Sequence, residues 1–92
     1  MNPDNLFLDL GFGKDEAASL LIRSNLMIEI SKYIQKRKMT QAQAAKLFGV
    51  TQPRISDLKR GKIQLFTVDM LITMLARAGV RVDVVLTKRK AA

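Results

Sequence analysis

Residues 40–61 read TQAQAAKLFGVTQPRISDLKRG, and this stretch decides the fold of the 92-residue chain. Its first half carries apolar residues at helical spacing, namely Ala44, Ala45, Leu47 and Phe48. In its second half Ile55 and Leu58 lie three residues apart and predict one apolar helix face. Because helices of this length are not stable in isolation, the stretch predicts two short helices that depend on packing.

Turn and capping residues mark where each of these helices begins and ends. Gly49 lies between them, where a chain leaving a helix adopts the left-handed conformation that glycine tolerates best. Thr40 with Gln43 forms a predicted capping box for the first helix. Thr51 is placed to cap the second, which leaves Pro53 in its first turn, where a missing N–H costs nothing. The pattern predicts a helix-turn-helix, with an ordinary helical hairpin as the alternative.

This spacing resembles the Xre/Cro-like helix-turn-helix proteins, which include the lambda-like phage repressors. The resemblance covers Tyr33 to about Gly79 and depends on Gln41, Ala45, Gly49, Val50, Ile55 and Leu58, followed by Arg60-Gly61-Lys62. It implies that the second helix, residues 52–60, is a recognition helix that enters the major groove of DNA.

Two groups of candidate DNA-contacting residues follow. The base-reading candidates lie at the start and outer face of the second helix and are Gln52, Pro53, Arg54, Ser56 and Asp57. Gln52 matches a base-contacting position of the family and can pair with adenine through two hydrogen bonds, whereas relatives often carry a polar residue in place of Pro53. The phosphate-contacting candidates are Gln41, Thr51, Lys59, Arg60 and Lys62.

The distribution of charge supports a polyanionic partner independently of the resemblance. Net charge is +8, yet residues 1–30 hold five acids and two bases, whereas residues 31–92 hold fourteen bases and three acids. Between Lys32 and Lys62 there are nine basic residues and a single acid, Asp57. A charge run is often only a solvated face, but here it coincides with the two-helix motif and therefore favours a double-stranded DNA operator as partner.

Composition excludes several other classes of function. Cysteine and histidine are both absent, which excludes zinc fingers, thiol nucleophiles, histidine bases and disulfides. Asp57, Asp69 and Asp83 stand apart in sequence, so no carboxylate pair suggests an enzyme, and we expect no cofactor or metal. No apolar run reaches the roughly 20 residues of a membrane span, and the N-terminus lacks the basic start of a secretion signal. We expect a soluble, cytoplasmic protein without membrane contact.

The remaining segments predict an all-α, lambda-repressor-like bundle of four to five helices with a short C-terminal β-strand. Residues 1–14 are expected to form a loosely held arm or short turn. The DNA-binding domain spans residues 15–79, with a long first helix to about Arg37 that carries Leu20, Met27, Ile30 and Ile34 on one stripe. It ends in a helix capped by Thr67. Residues 80–92 are expected to form a strand and basic tail, because Val80, Val82, Val84 and Leu86 would point to one side of a strand and Arg81 and Asp83 to the other.

A single strand on a helical domain leaves a row of backbone groups unpaired. Pairing with the same strand of a second copy satisfies them, with Val82 and Val84 in the interface, and predicts a homodimer that presents two recognition helices to a palindromic operator. The alternatives are a dimer through the long first helix or the N-terminal arm, and a monomer whose strand packs on its own helices.

The acidic and apolar arm, the long first helix, the motif and the valine-rich tail together resemble a subgroup of small single-domain Xre-like regulators. Many of that subgroup are antitoxins of host-inhibition-of-growth-type toxin–antitoxin modules. Relatives of this kind bind a ribonuclease toxin and repress their own operon. The expected function is therefore a sequence-specific transcriptional repressor, the autoregulating antitoxin of a type II module. A stand-alone repressor without a toxin is one alternative, and a protein-interaction module that does not bind DNA is another.

Overall fold

A computed structural model describes residues 6–88 of the chain. Within them lie five α-helices and one turn of 3-10 helix. The elements are α1 (Leu6–Asp9), α2 (Lys14–Lys36), α3 (Gln41–Phe48), α4 (Gln52–Lys59), the 3-10 turn (Ile63–Leu65) and α5 (Val68–Arg77). The predicted helical bundle is confirmed, and the long helix α2 lies against α5, α4 and the 3-10 turn.

One continuous apolar core joins α2 to the two short helices and to α5. The stripe predicted for α2 is buried along its whole length. Tyr33 of α2 meets the fully buried ring of Phe48 edge-on, with 5.7 Å between ring centroids. The core residues are Met27, Ile30, Ile34, Ala44, Ala45, Phe48, Ile55, Leu58, Phe66, Leu71, Met74 and Leu75.

The predicted threonine caps are all present. The Thr40 hydroxyl accepts from the Gln43 amide at 3.1 Å, and the Gln43 side chain accepts from the Thr40 amide at 2.9 Å, which completes the capping box. Thr51 and Thr67 cap α4 and α5 in the same way, through the third amide of each helix. Local hydrogen-bonding chemistry therefore defines where α3, α4 and α5 begin.

The end of α2 carries a backbone feature without a signal in the sequence. Lys38 has a φ of +52°, the left-handed region, and the Met39 amide donates to the Ile34 carbonyl at 3.1 Å. This is the hydrogen-bond pattern that usually places glycine after a helix, and a side chain there costs roughly 1 kcal/mol. The strained lysine turns the chain sharply from α2 into α3.

The described part of the N-terminal arm forms a short helical turn, which agrees with one of the two forms expected for it. Residues 6–9 form one helical turn, closed by the Leu10 amide donating to the Leu6 carbonyl at 3.1 Å. Phe7 and Phe12 meet edge-on, with 6.2 Å between ring centroids, and the Phe7 side chain lines a hollow against α2. Apolar packing against α2 therefore orders this part of the arm; its first five residues lie outside the described part of the chain.

The expected C-terminal strand is wrong for this chain taken alone. Residues 80–88 form no β-ladder among the described residues. A ladder requires a second strand, and the described residues contain none. Val80 and Val82 pack against the apolar core, so the expected interface residue Val82 contacts its own chain, whereas Val84 is 75% exposed. Residues 89–92 of the predicted basic tail are outside the described part.

Candidate nucleic-acid interface

The turn between α3 and α4 is held by contacts from both sides. Gly49 takes the left-handed conformation, with a φ of +70°, and the Val50 amide donates to the Ala45 carbonyl at 3.0 Å. From α5, Arg77 Nη1 donates to the Gly49 carbonyl oxygen at 2.8 Å. A Cβ at Gly49 would lie 2.5 Å from that nitrogen and 2.7 Å from the Arg77 Cδ. Glycine is thus required here both by its conformation and by the arginine lying over it.

The inner face of α4 is anchored in the core by Ile55 and Leu58, which are 0% and 2% exposed. With 100° between successive residues, the side opposite these two anchors is centred on Pro53 and Arg60 and includes Ser56 and Asp57. At the start of the helix, Gln52 and Pro53 are both exposed. The helix therefore presents a mostly polar outer edge that begins with a glutamine.

Arg54 lies away from this outer edge. Its Nη1 donates to the Leu65 carbonyl oxygen at 3.0 Å, and its guanidinium carbon lies 5.6 Å from the centroid of the Phe66 ring. From α2, Arg23 donates to the next carbonyl, that of Phe66, at 3.4 Å. Two arginines from different helices thus hold the end of the 3-10 turn, and the guanidinium predicted to read bases is engaged within the chain.

Asp57 is also engaged within the chain. Its Oδ1 lies 3.6 Å from Arg60 Nη2 and 3.9 Å from Lys62 Nζ. The carboxylate is 21% exposed, whereas the two cationic side chains are 61% and 41% exposed. The only predicted acidic base reader is therefore ion-paired with two of the predicted phosphate contacts.

The other predicted phosphate contacts surround α4 at different places. Gln41 is the first residue of α3 and is exposed, and Thr51 is exposed while its oxygen caps α4. Lys59 lies on the flank facing α2, where it lines a cavity of about 540 Å³ together with Gln35 and Lys38. The basic groups thus lie on two sides of α4, with Lys38 and Lys59 beside α2 and Arg60 and Lys62 around Asp57.

Comparison with known proteins agrees with this geometry. The family model described as a helix-turn-helix domain matches residues 6–87. The chain belongs to this helix-turn-helix family. A solved chain assigned to the XRE family of transcriptional regulators is 28% identical, with a TM-score of 0.74 over 82% of this chain and 84% of that chain. No curated protein matches the sequence.

The family match extends well beyond the two-helix motif of the helix-turn-helix protein. It begins with α1 and continues almost to the end of the described tail. The elements outside the motif, including the tail from Val80, are thus part of the family's domain. Among residues 6–88, no helix is both long enough and apolar enough to cross a membrane.

Two features of the helix-turn-helix protein had no sequence signal that we recognised. Arg23 sits in α2 among apolar residues, and nothing local indicates that it reaches the Phe66 carbonyl 43 residues later in the chain. Arg77 lies in the last turn of α5, which favours a cation because of the helix dipole. That preference does not predict the hydrogen bond from Arg77 to the Gly49 carbonyl oxygen, because α5 lies near Gly49 only in the folded chain.

Proposed function

We propose that this helix-turn-helix protein is a sequence-specific DNA-binding transcriptional regulator. The observation that carries the proposal is the exposed edge of α4, which begins with Gln52 and is bordered by Arg60 and Lys62, on a helix anchored by two buried residues. The major groove, about 12 Å wide, admits an α-helix, and glutamine is well suited to adenine there. The solved XRE-family regulator of similar fold adds support.

Base reading is tested by replacing Gln52 with alanine. Gln52→Ala should lose about 1–3 kcal/mol of binding free energy on a duplex that the wild-type chain selects from a random library, and little on random duplex of equal length. Fluorescence titration on both duplexes gives the two dissociation constants. Asn25→Ala, which removes an exposed side-chain amide from the middle of α2, is the matched control.

The same experiment separates the proposal from its alternatives. Equal losses on both duplexes would remove Gln52 from base reading. A wild-type chain that selects no duplex at all would contradict the regulator function and favour a protein-interaction module that uses the fold without DNA.

Phosphate contacts by Arg60 and Lys62 are tested through salt dependence. Each alanine variant should weaken binding to both selected and random duplexes, and should reduce the slope of log K against log salt by roughly 0.9 per lost contact. Lys14→Ala removes one exposed charge from the start of α2 and should leave the slope unchanged. An unchanged slope for Arg60→Ala and Lys62→Ala would mean that both are ordinary solvated residues.

The second part of the proposal is a homodimer that pairs the tails of two copies. In the single chain Val80 and Val82 contact the core, while Arg81 Nε lies 2.8 Å from Asp83 Oδ1 at exposed positions. Beyond the core edge, residues 84–86 are apolar and strongly exposed. An apolar, exposed segment that is unpaired within the described chain is suited to pair with its own copy across a two-fold axis.

The third part concerns biological role: the autoregulating antitoxin of a type II toxin–antitoxin module, with a stand-alone repressor as the alternative. Outside the helix-turn-helix motif, Leu10 and Phe12 are exposed and are followed in the chain by the exposed acids Asp15 and Glu16. An apolar and acidic surface of this kind suits a basic partner such as a ribonuclease toxin. The test is co-purification with the product of the adjacent reading frame, followed by rescue of growth when that product is toxic. No complex and no toxicity would leave the stand-alone repressor.

A further inference from the structure

Asp57 is the single acid in a strongly basic stretch and lies on the outer side of α4. Its carboxylate faces Arg60 and Lys62, at 3.6 Å and 3.9 Å. It is less exposed than either partner, so the two cationic groups fold over the carboxylate. A negative charge on this side of α4 repels DNA phosphate and so opposes DNA binding. Its effect on Arg60 and Lys62 can offset that repulsion.

The backbone brings the second cation to the carboxylate. Arg60 follows Asp57 by three residues and lies over the same helical surface. Lys62 is returned to it by the left-handed Gly61, whose φ is +70°, and its amide donates to the Asp57 carbonyl oxygen at 3.1 Å. Both the main chain and the side chain of Asp57 therefore hold the segment that carries the two cations.

We propose that Asp57 is a specificity-determining positioning residue: its carboxylate holds Arg60 and Lys62 in place and competes with DNA phosphate for them. This inference rests on the proposed DNA-binding function. A carboxylate offers these cations the same anionic oxygen chemistry as a phosphate, so a phosphate must compete with it for their N–H groups.

The consequence differs between selected and random DNA. On random DNA the protein makes phosphate contacts alone. Arg60 and Lys62 side chains that were not held by Asp57 could adjust to the phosphates in any binding register. On the selected duplex α4 binds in one register, so the phosphates lie at fixed positions. Arg60 and Lys62, which Asp57 already holds in one orientation, then lose less side-chain entropy when they contact those phosphates. Asp57 thus reduces random binding more than selective binding, without touching a base.

The central experiment compares the wild-type chain with Asp57→Asn, a nearly isosteric change that removes the charge. Affinity for random duplex should rise roughly three- to tenfold, the range expected for two partly exposed ion pairs. Affinity for the duplex selected by the wild-type chain should rise less, so the ratio of the two affinities falls. Asp57→Glu, which keeps a carboxylate within reach of both cations, should restore most of the ratio.

A thermodynamic cycle shows whether Asp57 acts through its two partners. In a chain that already carries Arg60→Ala and Lys62→Ala, Asp57→Asn should no longer change the affinity for random duplex. An undiminished increase would mean that Asp57 acts only as a distant negative charge and would overturn the proposal. Glu29→Gln removes the acid of an exposed pair on α2, in which Lys32 follows the carboxylate by three residues, and should have little effect; an equal increase there would overturn the proposal too.

Base selection separates positioning from base reading. If Asp57 positions cations, Asp57→Asn should select the same consensus as the wild-type chain, only less strictly. A changed base preference at one position would show that Asp57 reads a base and would overturn the proposal while leaving the regulator function intact. Failure of the wild-type chain to select any duplex would instead contradict the regulator function itself.

Discussion

We expect Val84→Asp to convert the protein into a folded monomer that binds DNA on the order of 10²-fold more weakly. Val84 is 75% exposed in the single chain, so a carboxylate there costs the fold little. In a dimer paired through the tails the same carboxylate is buried beside its own copy, which is strongly unfavourable. Two linked half-sites, about 34 Å apart on DNA, gain their affinity from being bound together, and a monomer loses that gain.

Sedimentation equilibrium and titration of the selected duplex on the same variant measure both effects. Val84→Thr keeps the size and strand preference of the residue without a charge, and should remain dimeric and bind normally. A Val84→Asp protein that stays dimeric and binds normally would contradict pairing through the tails. The interface would then have to lie on α2 or on the N-terminal arm.

The second large effect is expected at the turn of the motif. Gly49→Ala should lower the free energy of unfolding by about 2–3 kcal/mol, from the left-handed backbone and from loss of the Arg77 hydrogen bond. The added methyl group occupies the position of the Arg77 side chain, so that side chain must leave the Gly49 carbonyl. Thermal or urea unfolding followed by circular dichroism measures the loss.

Gly79→Ala isolates the backbone contribution. Its φ of +80° is as unfavourable for alanine as that of Gly49, but nothing lies within 4 Å of its Cβ position. We expect this control to lose only about 1 kcal/mol. If the two variants were equally stable, the contact between Arg77 and the turn would contribute nothing, and the angle between α3 and α4 would be set by their apolar contacts alone.

The parts of the fold that were predictable are those decided by neighbours in sequence. Thr40, Thr51 and Thr67 cap helices because each hydroxyl accepts from an amide three residues away, and such a contact can be recognised without a structure. The stripe on α2 was equally local, since burial of one helix face follows from spacing. Neither the caps nor the buried face of α2 depends on knowing which helices pack against each other.

The parts that were not predictable depend on contacts across the fold. Sequence placed Arg54 among the base readers, but the Leu65 carbonyl, eleven residues away, holds its guanidinium. The C-terminal pattern is typical of a strand, yet a strand also needs a partner, and none lies within the described chain. Residue type and spacing predict which structures and contacts a segment can form. Which of them it forms depends on the other segments that it meets in the folded chain.

The brevity of α3 and α4 affects the thermodynamics of DNA binding. Each has eight residues, fewer than the roughly 12–15 that a helix needs to persist alone in water. Their order therefore comes from the shared core around Phe48, Ile55 and Leu58, and α4 loosens only when that core opens. Because the recognition helix α4 is already folded before it meets DNA, binding includes no folding step. The heat-capacity change of binding should therefore come only from the surface buried between protein and DNA.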